Sequence, residues 1–140
     1  MYSTIALDLE GTLISNAFSQ FPRPGLRAFL DYCVKRFDRV VLFTCVNEER
    51  VRNIWTALES DGHIPSELID IEIVQWQGRY KDLNYLGISP VNTLLIDDQE
   101  AYVEPEQKAN WVDIKCWDYP YERDDLELVT VLVKIESKRW

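Results

Sequence analysis

Asp8 and Glu10, separated by one leucine and followed at once by Gly11, close a short apolar run, Ile5-Ala-Leu. Asp97-Asp98 closes another, Leu94-Leu-Ile96. Side chains alternate along a strand, so Asp8 and Glu10 point to the same side as the chain leaves a sheet. Carboxylates held that close together need a cation, a lysine or solvent beside them. Over Ile5 to Thr12 alone, a solvated strand end beside a turn would read the same way. Their company argues for a site: Thr44 lies near the end of a further apolar run, and Lys81 follows yet another. Four carboxylates, a hydroxyl and an ammonium recur where apolar runs stop.

The elements that must position these groups are legible in turn. Ser3 to Leu9 is aliphatic, too short for a helix and cut by a turn, which predicts a buried strand. Pro22 and Pro24 bend the chain, and Leu26, Phe29, Leu30, Cys33, Val34 and Phe37 follow at helical spacing. Arg39 to Cys45 is a second strand. Asn47 can cap the next helix, whose buried stripe is Val51, Ile54, Trp55 and Leu58, with Gly62 placed to end it. Ile71 to Trp76 is a third strand, Asp82 to Gly87 a short helical turn, and Asn92 to Ile96 a fourth strand. Trp111 to Cys116 is a fifth, and Asp124-Asp125 introduce a last helix, apolar from Leu126 to Ile135 with basic residues in its final turn. This alternation predicts an α/β fold, a Rossmann-like three-layer sandwich on a mainly parallel five-stranded sheet with right-handed crossovers. Ligands bind such sheets beyond the carboxyl ends of the strands. Asp8, Glu10, Thr44, Asp97 and Asp98 sit at those ends, on what would be a surface rim, with Lys81 in the connection beyond the third strand.

Length and charge bound the rest. At 140 residues the chain is read as one domain spanning 1–140. Its formal charge of −9 repels polyanions, so nucleic acid and anionic membrane surfaces are excluded as partners. The N-terminus lacks the pattern of a signal peptide, and no apolar run approaches membrane-spanning length. Cys33, Cys45 and Cys116, each within an apolar run, read as reduced core thiols of a cytoplasmic protein. His63 follows Asp61-Gly62 in a turn and reads as a surface residue.

Taken in order, Asp8-Leu-Glu10-Gly-Thr12, Thr44, Lys81 and Asp97-Asp98 resemble the four motifs of the haloacid dehalogenase superfamily of phosphatases. A closer likeness is to the branch of C-terminal-domain phosphatases of the nuclear LIM interactor-interacting factor type. It rests on Arg23-Pro24-Gly25 with Phe29-Leu30, on Tyr80-Lys81-Asp82-Leu83 with Leu86-Gly87, on Asp97-Asp98, and on Asp125 ahead of the last helix. The resemblance implies that Asp8 attacks a phosphoryl group and carries it as an aspartyl-phosphate. It implies Mg²⁺ held by the Asp8 carboxylate, the backbone carbonyl of Glu10 and one or both of Asp97 and Asp98. Lys81 and Thr44 would then face the transferring oxygens. The residue two past the nucleophile would protonate the leaving oxygen and later activate water.

At that last position the family's phosphatases carry aspartate and this chain carries Glu10. One added methylene moves a carboxylate by ~1.5 Å, and a misplacement of ~1 Å can cost about 10²-fold in rate. A phosphate-binding or regulatory pseudo-phosphatase without turnover therefore stands beside the working enzyme. So does a receiver-like module that is phosphorylated on Asp8 by a partner and acts as a switch. The intervals between motifs leave no room for a cap domain, so Leu13 to Phe21, the substrate or a neighbouring subunit must exclude water. An open site suits a phosphoprotein or a bulky phosphometabolite.

Overall fold

The computed structural model describes residues 2–138. Its centre is a five-stranded sheet, β1 (Thr4–Leu7), β2 (Arg39–Thr44), β3 (Glu72–Gln75), β4 (Thr93–Asp97) and β5 (Trp111–Asp113), in the order β3-β2-β1-β4-β5. Every pairing is parallel. Three helices accompany it: α1 (Leu26–Arg36), α2 (Glu48–Ser60) and α3 (Glu127–Lys138). There is no room between these elements for a cap domain, and among the described residues no helix is long and apolar enough to cross a membrane.

The buried positions are those that periodicity selects. Leu26, Phe29, Leu30 and Cys33 of α1, and Val51, Ile54, Trp55 and Leu58 of α2, form one stripe each. Asn47 accepts a hydrogen bond from Arg50 N at 3.3 Å, and Glu48 and Glu49 occupy the first turn, where the helix dipole favours acids. Leu128, Val131 and Ile135 turn α3 inward, and Lys138 stands in its final turn; Arg139, the other basic residue expected there, lies outside the described residues. Asp125, placed ahead of α3, accepts from Glu127 N at 3.3 Å.

The two faces of the sheet are covered unequally. Ile5, Leu7, Leu42, Leu94, Ile96 and Val112 point to the side that carries α1, α2 and α3. Ala6, Val41, Phe43 and Leu95 point the other way and pack with Trp76, Leu83, Leu86 and Val103, with Val74 and Trp111 partly buried beside them. The chain travels from β1 outward to β3 and then back across β1 to β4 and β5. Crossovers of one hand must therefore change face at that reversal. The two later crossovers contain short 3-10 turns, among them Leu83–Leu86 and Pro105–Asn110, so the second outer layer is thin. Asp82 caps the first of these turns through Asn84 N, and Gly87 ends it, as expected.

Two sequence expectations change. β5 stops at Asp113 and does not run to Cys116, because residues beyond it are drawn off the sheet: Lys115 O accepts from Arg23 Nη2 at 2.7 Å and Trp117 N donates to Gly11 O at 2.9 Å. All three cysteines are free, but only Cys33 is a core thiol; Cys45 and Cys116 are exposed.

Candidate active site

The reversal of direction between β1 and β4 leaves a crevice at their carboxyl ends, where open parallel sheets bind ligands. Register brings the acids together there. Leu7 pairs with Ile96, so Asp8 follows β1 level with Asp97, the last residue of β4, and Asp8 N donates to Ile96 O at 3.0 Å. Lys81 enters from the β3–β4 connection, held by its backbone N–H, which donates to Tyr102 O at 2.8 Å. Its Nζ lies 2.7 Å from Asp8 Oδ1 and 2.6 Å from Asp97 Oδ2. Ligand oxygens of Asp8, Asp97 and Asp98 all lie within 4.8 Å of one another. Asp8, Glu10, Thr44, Lys81, Asp97 and Asp98 line one cavity of about 420 Å³.

Asp97 is not on a surface rim. It is 0% exposed, with Oδ2 on Lys81 and Oδ1 accepting from Gln99 N at 2.9 Å. A carboxylate buried that fully needs those donors. Asp98, half-buried, is the more open of the two: its Oδ1 accepts from Thr12 Oγ1 at 3.3 Å and its Oδ2 from Gln99 Nε2 at 3.1 Å.

The loop after β1 turns back tightly. Leu9 O accepts from the N–H groups of Leu13 at 2.9 Å and Ile14 at 3.2 Å, and Gly11 takes a φ of +76°. A Cβ on Gly11 would lie 2.6 Å from Asp98 Oδ2 and 3.0 Å from Cys116 Sγ, so only glycine lets the loop pass this close to the acids. Thr12, buried, donates to Asp8 Oδ2 at 2.8 Å. Behind the loop lies Arg23, 1% exposed, whose guanidinium donates to Gly11 O at 3.1 Å, Thr12 O at 3.2 Å and both carboxylate oxygens of Asp125. Neither Thr12 nor Arg23 stands out as a site residue by chemistry at its own position. Arg23-Pro24-Gly25 and Asp125 were visible only as parts of the family likeness.

Burial dominates the electrostatics. It pushes the Asp8 carboxyl up to about 7 against the pull of Lys81, and the nearby Asp98 carboxylate adds to the rise. Asp97 moves up for the same reason, helped by the Asp8 charge. Burial would lower Lys81, but Asp8 and Asp97 outweigh it and hold the ammonium charged. One ammonium thus faces two carboxylates with a third beside them, a donor set of hard oxygens that outnumbers its one cation and fits a divalent hard cation. Partial desolvation at the cavity wall and the Asp98 carboxylate push the Cys116 thiol up to about 12.

Glu10 and Thr44 hold the outer positions. Glu10 is exposed, and its Oε2 accepts from Ala17 N at 2.7 Å, which fixes the carboxylate against the following loop. Thr44 is buried at the end of β2, and its Oγ1 accepts from Val46 N at 3.1 Å. Trp76 and Tyr102 also line the cavity, with ring centroids 5.3 Å apart; the Lys81 ammonium lies 5.7 Å from the Trp76 centroid. Sequence reading passed over both aromatics because nothing local distinguishes them from core residues.

The family described as NLI interacting factor-like phosphatase matches residues 3–138, nearly the whole chain. No curated protein matches it.

Proposed function

The chain belongs to the NLI interacting factor-like phosphatase family and is accordingly a phosphoric monoester hydrolase; from that premise we propose that it is Mg²⁺-dependent and works through an aspartyl-phosphate on Asp8. The observation that carries the proposal is the convergence of Asp8, Asp97 and Asp98, the first two bridged by a single buried ammonium, Lys81. The carboxylates of Asp8, Asp97 and Asp98, whose ligand oxygens lie within 4.8 Å of one another, are the side chains that would hold the cation. The backbone carbonyl of Glu10 would complete the protein's share. Bound there, Mg²⁺ would supply the positive charge that admits a phosphate dianion to an acidic crevice.

The chain's own groups divide the rest. Thr12 and Lys81 each hold one oxygen of Asp8 and so fix its orientation for in-line attack on phosphorus. As the Asp8 oxygen bonds to phosphorus, the bond to the leaving alcohol breaks, and Glu10 gives that oxygen its proton. Glu10, now a carboxylate, takes a proton from water as the water oxygen attacks the phosphorus; the bond to Asp8 breaks and inorganic phosphate leaves. Lys81 supplies a fixed charge and Thr44 a hydroxyl facing the transferring oxygens. Asp97 positions Lys81.

Turnover of p-nitrophenyl phosphate, measured with Mg²⁺ and with chelator, tests this directly. Asp8→Asn lowers kcat by more than about 10³-fold with an unchanged circular dichroism spectrum, and chelator abolishes activity reversibly. More than trace activity in Asp8→Asn overturns the nucleophile assignment. Phosphate-mimic binding without turnover in wild type makes the chain a binding protein.

A further inference from the structure

The catalytic cavity has a neighbour that the chemistry above does not use. Trp117 lines both it and a second cavity of about 630 Å³ that opens between the Phe21–Ala28 and Trp117–Arg123 stretches. Its aromatic wall is one cluster around Tyr121: ring centroids lie 5.5 Å away for Phe21, 5.1 Å for Trp117 and 6.2 Å for Tyr119. The cluster is tied to the catalytic rim, because Tyr121 Oη accepts from Asn16 Nδ2 at 3.1 Å and Asn16 lines the catalytic cavity. Yet Tyr119 is 82% and Phe21 50% exposed, an apolar patch with nothing upon it.

The charges around this wall run against the rest of the molecule. The chain has 24 acids to 15 lysines and arginines, but no carboxylate lines this cavity. Its charged lining is Arg23, Arg27 and Arg123, with His63 half-buried among them. Arg23 and Arg27 are paired, with Asp125 and Asp31. Arg123 has no ion-pair partner among the described residues, and its sequence neighbours Glu122 and Asp124 do not line the cavity. Exposed aromatic rings beside an unpaired guanidinium are the composition of a binding hot spot, and the local charge selects an acidic occupant.

We propose that this groove docks an acidic polypeptide segment carrying an aromatic side chain, contiguous in the same substrate with the phosphorylated residue hydrolysed next door. The inference rests on the phosphatase reading of the adjacent cavity and gives its substrate class. The aromatic side chain of the partner packs on Tyr119 and Tyr121 while its carboxylates face Arg123. Continuity through Trp117 lets one extended chain occupy both cavities, which a compact metabolite cannot do.

Two measurements decide it. Phosphopeptides with an acidic, tyrosine-containing flank on one side or the other are compared with the same phosphorylated residue in a neutral, aromatic-free peptide. One flanked peptide shows a KM lower by about tenfold at similar kcat; Arg123→Glu and Tyr119→Ala each erase that gain and leave p-nitrophenyl phosphate turnover unchanged. Equal KM with and without the flank, or a gain that survives both substitutions, overturns the docking site. In parallel, fluorescence anisotropy follows a labelled, unphosphorylated acidic-tyrosine peptide. Its binding to wild type and its loss in both variants support the groove even if no phosphate ester is turned over, in which case the phosphatase reading alone has failed. No binding to wild type, or binding that both variants retain, overturns it.

Discussion

At the scale of single residues, the site pairs a deeply buried charge network with one exposed and tethered acid. Glu10 is the sharper case. If it is the proton donor, Glu10→Ala slows esters with poor leaving groups by about 10²–10⁴-fold. It slows p-nitrophenyl phosphate far less, since p-nitrophenolate leaves without a proton. Glu10→Asp keeps activity or raises it. Equal effects on both ester classes, read from kcat/KM across a leaving-group series, would remove the acid–base role. Asp8 and Asp97 set the pH response of the metal-free protein. Asp8 rises from its ordinary 3.8 to about 7 on folding, so between those values the folded state holds a proton that the unfolded state has released. Stability then falls as pH rises through that window, because the unfolded state binds fewer protons there; Asp97 moves in the same direction. In chelator the melting temperature drops between about pH 4 and about pH 7, and Mg²⁺ restores it at the higher pH. A flat profile in chelator would show that the carboxyls are not held protonated.

At the scale of elements, Arg23 is a clamp on three segments at once. It binds the loop after β1 through Gly11 O and Thr12 O, the stretch after β5 through Lys115 O, and the start of α3 through Asp125. Its side chain is 0% exposed, so removing it strands the Asp125 carboxylate and several carbonyls. Arg23→Met lowers stability by about 3–5 kcal/mol, measured by denaturant unfolding. Because Thr12 orients Asp8, kcat falls as well under conditions where the variant remains folded. Asp125→Asn keeps a single acceptor oxygen for Arg23 in place of two and loses less on both counts. A variant as stable as wild type would show that the clamp is dispensable. The Leu13–Phe21 loop stands in the place of a cap: Ala17 O accepts from Arg50 Nη2 at 3.0 Å, and Ala17 N donates to Glu10 Oε2 at 2.7 Å. It is pinned at its middle and leaves Phe18 91% exposed at its tip.

At the scale of the whole molecule, a negative body surrounds an open crevice. A net charge of −9 slows the approach of polyanions at low salt, while the arginine-lined groove beside the crevice is a local exception. Without a cap, water is excluded by the Leu13–Phe21 loop together with the substrate or a neighbouring subunit, and a bulky substrate brings the larger covering surface. Catalytic efficiency toward phosphopeptides accordingly exceeds that toward compact sugar phosphates by tenfold or more, about 1.4 kcal/mol of transition-state binding. A sugar phosphate that outruns every peptide in a substrate panel would refute the macromolecular preference.

The sequence by itself determined the order of elements, the buried stripes of α1 and α2, the caps at Asn47 and Asp82, and the polar groups Asp8, Glu10, Thr44, Lys81, Asp97 and Asp98 that meet in the crevice. These depend on neighbours within a turn or along a strand, so apolar period, capping residues and glycine position carry them. It also carried the parallel sheet, since alternating short strands and helices admit few other topologies. Tertiary structure alone decided how deep the charges lie. Lys81 meets Asp8 from 73 residues away and Arg23 meets Asp125 from 102, and no local pattern reports such pairings. For that reason Asp97, expected on a rim, is fully buried, and Cys45 and Cys116, expected in the core, stand exposed along the crevice. Burial of a charged group is settled by distant partners that replace water, and those partners exist only once the chain has closed on itself.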